Sequence, residues 1–185
     1  KIYTSGSFLD EREVPAESRQ AIAETFADRE RLVVESLPDF VAAPKLEDFR
    51  AAGLAIDVAI GLETATDRIR HDCVNKYFEF DDFIAAAETA GRAGAGVKAY
   101  LLMKPPFLTE QEALSDMITS IEACAAHAHT VSMNPTNVQN YTMVEELYRA
   151  GGYRPPWLWS IVAALEETAT VDAIVVSDPV GAGED

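Results

Sequence analysis

The sequence predicts an α/β protein: a barrel or partial barrel of parallel strands with helices between them. Three observations lead there. Six largely apolar runs of four to seven residues alternate with segments of helical periodicity. Each run ends in polar or turn-forming residues, namely Ser-Gly-Ser, Glu-Ser, Glu-Thr, Lys-Pro-Pro, Asn-Pro-Thr-Asn and Ser-Asp. All these tips lie at carboxyl ends, so right-handed crossovers gather them on one rim, where such folds place their ligands.

The first run, residues 1–4 (KIYT), leads into Ser5, Gly6 and Ser7. That triplet is either a plain turn or a place where a glycine lets a ligand approach the backbone. Pro15 suits the first turn of a helix with Ile22, Ala23 and Phe26 on one face. The second strand, 31–35 (RLVVE), ends at Glu35, a rim charge or a site residue. A helix over 46–52 stops near Gly53. The third strand, 56–62, is apolar except for Asp57 and ends at Glu63. Thr64 and Asp67 fit a capping box for a short helix with Ile69 and Cys73 inward, which leads to Asn75 and Lys76. A carboxylate at a strand end, with a cation about a dozen residues on, suits a zwitterionic ligand.

Phe80, Phe83, Ile84 and Ala87 give the next helix its inner face, closed by Gly94 and Gly96. The fourth strand, 97–103, stops at Lys104 because two prolines follow. Thr109 and Glu112 make a capping box for a helix with Leu114, Met117, Ile118 and Ile121 inward. The fifth strand, 129–133, leads to Asn134 and Asn137, while His127 and His129 fall at its opposite end and read as structural. Thr142 and Glu145 cap a short helix. Pro155 and Pro156 open another, with Trp157, Leu158, Ile161, Val162 and Leu165 on its buried side. The last strand, 172–176, ends in Ser177 and Asp178. Residues 1–150 read as the barrel core and 151–185 as a helix–strand extension of it.

At 185 residues the chain is long enough to bury a real core. It has no apolar run of about 18 residues and no signal-peptide layout, so a cytoplasmic home is expected. Its formal net charge of −16 reads as a solvated acidic surface of the kind adapted to high salt, or as a surface for a basic partner. At low salt such a surface repels nucleic acid. Two cysteines cannot assemble a metal cluster alone and read as buried free thiols. Because the chain enters directly on a strand without Met, it is expected to be a piece of something larger.

The blocks TSGSF, VVESLPDF, IGLET, VNK, FDDFIAAAETAGRAGAGVKAYLLMKPP and VSMNPTNVQ resemble, in this order, the radical S-adenosylmethionine enzymes. The nearest likeness is to the group with the Elongator catalytic subunit, the methylthiotransferases and the nitrogenase-cofactor protein. Within it, SGSFLDEREVP, MKPPFLTEQEA, NPTNVQ, YRPPWLWS and VSDPVGAG resemble the archaeal archaeosine-biosynthesis subgroup. The resemblance implies a partial TIM-like (β/α)6 barrel of the radical S-adenosylmethionine type, missing its first strand. It implies that Ser5, Gly6 and Ser7 meet the amino group of S-adenosylmethionine. Glu35 and Glu63 then fall on the ribose and methionine portion, and Lys76 on the methionine carboxylate. Lys104, Asn134 and Asn137 are candidates for the substrate side.

The family's [4Fe–4S] cluster is held by a three-cysteine loop after its first strand, and that loop is not in this sequence. The chain as given is therefore expected to bind no cluster and to be inactive, while its parent is an enzyme. In the family the cluster reduces S-adenosylmethionine to a 5′-deoxyadenosyl radical. For the archaeosine subgroup the implied substrate is tRNA carrying a lysine-modified 7-deazaguanine, whose radical cleavage leaves archaeosine. The acidic charge then calls for a partner protein, a further domain or a high-salt cytoplasm. Two readings compete: a Schiff-base lyase using Lys104 or Lys98 with a lowered pKa, and a non-catalytic acidic interaction scaffold.

Overall fold

Apolar runs become parallel strands in chain order. The computed structural model describes residues 1–2 and 6–177. Among them are five strands: β1 (Arg31–Glu35), β2 (Ala55–Glu63), β3 (Gly96–Met103), β4 (Thr130–Pro135) and β5 (Ile174–Ser177). They form one parallel sheet in the order β1-β2-β3-β4-β5. Leu32 pairs with Ile56 and Val131 with Val175. The strand expected over 1–4 is represented among the described residues by a parallel bridge from Ile2 to Val34. The expected six strands are thus five plus a bridge. Ser5, Asp178 and the glycines at 181 and 183 lie outside the described residues.

The chain divides into two compact units, residues 1–61, 78–99 and 127–129 in one and 62–77, 100–126 and 130–185 in the other. The division passes through β2 and β3.

In the first unit, α1 (Ala16–Thr25) begins after Pro15, and α2 (Ala43–Ala51) packs against it. The inner face of α1 carries Ala23 and Arg19, whereas Phe26 is exposed. Arg19 is drawn inward by Asp48, whose Oδ2 accepts from its Nε at 2.8 Å. Phe8 and Phe49 meet in the core with ring centroids 6.1 Å apart. Helix α4 (Phe80–Arg92) has a capping box from Glu79 and Asp82 and buries Phe83, Ala86, Ala87 and Ala90. Asp57, the one charge in the apolar run of β2, is buried and meets Arg31 Nη1 at 2.7 Å and His129 Nε2 at 3.4 Å. His129 Nδ1 accepts the Val97 N–H at 3.1 Å, so its proton sits on Nε2, toward Asp57. Gly96 is required beside them: a Cβ there would run into the Asp57 carboxylate and lie 2.9 Å from His129 Cε1. His129 is structural, as its place at the strand start implies.

In the second unit, α3 (Asp67–Ile69) widens into a π-helical turn at Arg70–Val74. Helix α5 (Glu110–Ala125) begins at the capping box that Thr109 and Glu112 predict, and Thr142 caps α6 (Met143–Arg149) as expected. Helix α7 (Leu158–Glu167) packs on α5. It buries Ser160, Ile161 and Ala164, while Trp157, Leu158, Trp159 and Val162 are exposed. Of the expected inner face, Ile161 is buried and Leu165 half-buried, while the other three residues are exposed. Periodicity marks an apolar stripe, but only a covering element buries it. Among the described residues no helix is long and apolar enough to cross a membrane.

Candidate functional site

At the tip of β2 in the second unit the backbone leaves extended geometry abruptly. Glu63 has φ +69°, a left-handed conformation that an L-residue holds only when its surroundings dictate it. Two devices dictate it here. Thr64, fully buried, gives its hydroxyl to Asp116 Oδ1 at 2.9 Å and accepts the Thr66 N–H at 2.9 Å. Arg70, also fully buried, donates from Nη1 to the Thr64 carbonyl at 2.8 Å and pairs with Asp67. The expected capping box at Thr64 is thus replaced by a turn locked through Asp116, and Arg70, not Ile69 or Cys73, is the residue driven inward.

The π turn closes at Asn75, itself left-handed at φ +61°, and the Lys76 N–H reaches the Arg70 carbonyl at 3.2 Å. This wide turn carries Lys76 back to the strand tip, where its Nζ lies 2.6 Å from Glu63 Oε1. Both side chains remain partly open to solvent, at 27% and 19%. The carboxylate and ammonium anticipated from their spacing therefore meet directly. They form a pre-aligned pair whose two charges match those of an α-amino acid in opposite sense.

Burial pushes the Asp116 carboxyl above its usual range against the pull of its bonds from Thr66 and Thr64. Neither Asp116 nor Arg70 is visible as functional in the sequence. The signal that existed was local: Thr64, Asp67 and Arg70 at three-residue steps on a turn too polar to be ordinary core.

In the first unit, Gly6, Ser7 and Glu35 come together. The Phe8 N–H donates to the Glu35 carbonyl at 2.8 Å, and the Leu37 N–H donates to Ser7 Oγ at 3.0 Å. The small residues do admit a close approach to the backbone, but Glu13 makes it. Its Oε2 accepts the Ser7 N–H at 2.9 Å, and its carboxylate fills the space a Cβ on Gly6 would need.

Lys104, at φ +61° on the tip of β3, is buried, with Nζ 3.0 Å from Glu110 Oε2 and donating to the Arg154 carbonyl at 2.8 Å. Tyr153 Oη donates to the Lys104 carbonyl at 2.9 Å. Glu110 Oε1 accepts from Ser160 Oγ at 2.6 Å and the Trp157 N–H at 2.9 Å, and Arg154 lies 3.1 Å from its Oε2. Burial raises the Glu110 carboxyl, yet the bonds from Ser160, Trp157 and Lys104 outweigh it and hold it below the usual range. Lys104 is therefore a clamp of the 153–160 segment. The Schiff-base reading needs a neutral lysine among apolar neighbours, and its ammonium instead faces a carboxylate. Lys98, the other candidate, is buried near the start of β3, away from its tip. Asn134 and Asn137 are half-buried at the end of β4. Among the described residues no side-chain hydrogen bond engages either amide.

A [4Fe–4S] cluster is held by thiolates. Both cysteines are free: burial pushes the Cys73 thiol up, and pushes that of Cys124, in the core side of α5, up to about 12. Among the described residues no three His, Cys, Asp or Glu side chains gather as a metal site. The residues present do not fit such a cluster, and no step through one is assigned to them.

No family model matches the sequence. The chain is 46% identical to archaeosine synthase subunit beta of Methanosarcina acetivorans, over 99% of its own length and 55% of that protein's. It spans a little over half the length of the curated relatives it matches. Among its structural neighbours is a radical S-adenosylmethionine methyltransferase, TsrM of Kitasatospora setae, with TM-score 0.58 and 16% identity, over 82% of this chain and 29% of that one. Elp3 of Methanocaldococcus infernus matches with TM-score 0.71 and 14% identity, over 98% of this chain and 47% of that one. A queuine lyase from Clostridium spiroforme, bound to SAM and queuine, matches with TM-score 0.63 and 20% identity, over 97% and 69%. The chain is thus similar along nearly its whole length to archaeosine synthase subunit beta, and it has the fold of the radical S-adenosylmethionine enzymes.

Proposed function

We propose that the chain is the S-adenosylmethionine-binding part of a radical enzyme that modifies tRNA, forming archaeosine from a lysine-modified 7-deazaguanine. The observation that carries this reading is the Glu63–Lys76 pair, 2.6 Å apart at the tip of β2. S-adenosylmethionine offers an ammonium and a carboxylate on one carbon. Its ammonium matches Glu63 and its carboxylate matches Lys76, so the ligand exchanges one ion pair for two charge-assisted contacts. Ser5, Gly6 and Ser7 are assigned to the amino group and Glu35 to the ribose and methionine portion, as the resemblance implies. Asn134 and Asn137, whose amides make no side-chain hydrogen bond among the described residues, are assigned to the substrate side.

The name "subunit beta" borne by the relative at 46% identity supports a partner subunit. Such a partner, or a high-salt cytoplasm, also meets the difficulty that a chain of net charge −16 has in approaching tRNA. When bound, S-adenosylmethionine supplies the radical chemistry, and this chain's residues bind and orient it.

Calorimetric titration of the intact protein with S-adenosylmethionine tests the reading. Replacing Glu63 by Ala, or Lys76 by Ala, is expected to weaken binding about tenfold or more, the scale of one charged hydrogen bond. Unchanged affinity in both variants, with folding intact by circular dichroism, rejects the assigned contacts.

A further inference from the structure

Beyond the end of β4 the character of the surface changes. Residues 133–160 carry two glutamates and two arginines, net zero in a chain of net charge −16. Within this stretch a cavity of about 420 Å³ opens in the second unit, lined by Val138, Asn140, Glu145, Tyr148, Arg149 and Pro155. That volume lies in the range of small-ligand sites. Glu145 is neutralised inside it: Oε1 meets Arg149 Nη2 at 2.6 Å, and Oε2 accepts the Tyr141 N–H at 2.8 Å. One of the five guanidinium donors of Arg149 is thereby engaged, and the group stays two-thirds exposed. Tyr148 presents half its surface to solvent, and Tyr141 stands wholly in it. On the Pro155 side, the Arg154 guanidinium stacks 4.1 Å above the Trp157 ring.

We propose that this cavity holds an unpaired nucleobase of RNA, with the Tyr148 ring as stacking face, Asn140 reading a base edge and Arg149 meeting a flanking phosphate. An unstacked base is recognised by aromatic and guanidinium planes and by side chains that both donate and accept, and this set supplies each. A docked protein favours a core depleted of charge, whereas an ion pair and an amide line this cavity. The net-zero stretch also lifts the acidic field where an anionic chain approaches. The inference rests on the tRNA reading above and adds a place on this chain where RNA is gripped, apart from the contacts assigned to S-adenosylmethionine.

Fluorescence anisotropy on the intact protein, with a labelled single-stranded RNA oligonucleotide and a blunt RNA duplex, tests it. Tyr148→Ala is expected to weaken single-strand binding about tenfold, and Tyr148→Phe to stay within about twofold of the parent. Arg149→Gln is expected to lower affinity and reduce the salt slope by about one. Tyr148 is exposed, so thermal melts of the variants should match the parent. Single-strand binding indifferent to Tyr148→Ala, or an equal loss on the duplex, overturns the pocket and leaves the tRNA reading standing. A parent protein that binds neither RNA overturns both. Loss of association with a second protein, at unchanged RNA affinity, assigns the surface to protein and overturns the base pocket.

Discussion

Asp116 shows how a single charge can serve geometry at some expense of stability. Two threonine hydroxyls, Thr64 at 2.9 Å and Thr66 at 2.6 Å, donate to the same oxygen, Oδ1. The carboxylate is largely desolvated, and its pKa is raised above the ordinary aspartate value. A raised carboxyl pKa means that the folded state binds a proton more tightly than the unfolded one. This group therefore opposes folding at neutral pH and ceases to do so as pH falls below the unfolded value. Asn keeps one carbonyl oxygen for both threonines and removes the charge. Asp116→Asn is expected to leave stability at pH 7 unchanged or raised by up to about 1 kcal/mol, while Asp116→Ala lowers it by about 1–3 kcal/mol. Urea denaturation of the two variants checks this, and an Asn variant as unstable as the Ala variant contradicts it.

At the scale of elements, the joint between β3, α5 and α7 depends on Glu110. Its contacts with Ser160, the Trp157 N–H, Lys104 and Arg154 fasten the start of α7 to the start of α5. The pKa of Glu110 is depressed, so its contribution is fully present above the unfolded glutamate value and is lost as pH falls through the lower folded value. Glu110→Gln leaves the buried Lys104 ammonium without its counter-charge and is expected to cost about 3 kcal/mol at pH 7. The gap to the parent should narrow below about pH 4. Denaturant melts of both proteins at pH 7 and pH 3.5 measure it; a gap independent of pH removes the ion pair as its cause.

What the sequence revealed of these elements follows how far each interaction reaches. The Thr109–Glu112 box spans three residues and was legible, as were the five described strands, whose apolar runs are contiguous. Glu63 and Lys76 are 13 residues apart and bracket one turn, so their meeting could be anticipated. Lys104 finds its partner carbonyl 50 residues away in a loop, and nothing local announces that. Arg70 and Arg19 were hidden because charge ordinarily signals solvent, and each is buried only through a specific acceptor. The exposure of Trp157, Leu158 and Trp159 was illegible for the opposite reason: periodicity describes a helix and not its neighbours.

For the molecule as a whole, 31 acidic side chains against 15 basic ones make self-repulsion a general load on the folded state. The Debye length shrinks from about 30 Å at 0.01 M salt to about 3 Å at 1 M, which screens repulsion between distant surface charges. The melting temperature should therefore rise between those conditions, by about 2–4 °C for each kcal/mol of repulsion relieved. Close buried pairs such as Lys104–Glu110 are screened far less and should not reverse the trend. Scanning calorimetry in sodium chloride measures the slope, and a flat or falling melting temperature rules out net repulsion as the dominant surface effect.

The π-helical turn at Arg70–Val74 has a consequence for how this chain tolerates length changes. A wide turn differs from an α-helical one by a single extra residue in the ring. Excising one residue between Arg70 and Asn75 would let the backbone relax into regular winding, a deletion the fold can absorb at small energetic loss. The same excision would remove the wide closure through which the chain turns back at Asn75, and with it the placement of the following lysine beside its glutamate. A gap of one position here would leave a protein that folds and has lost its grip on the zwitterion.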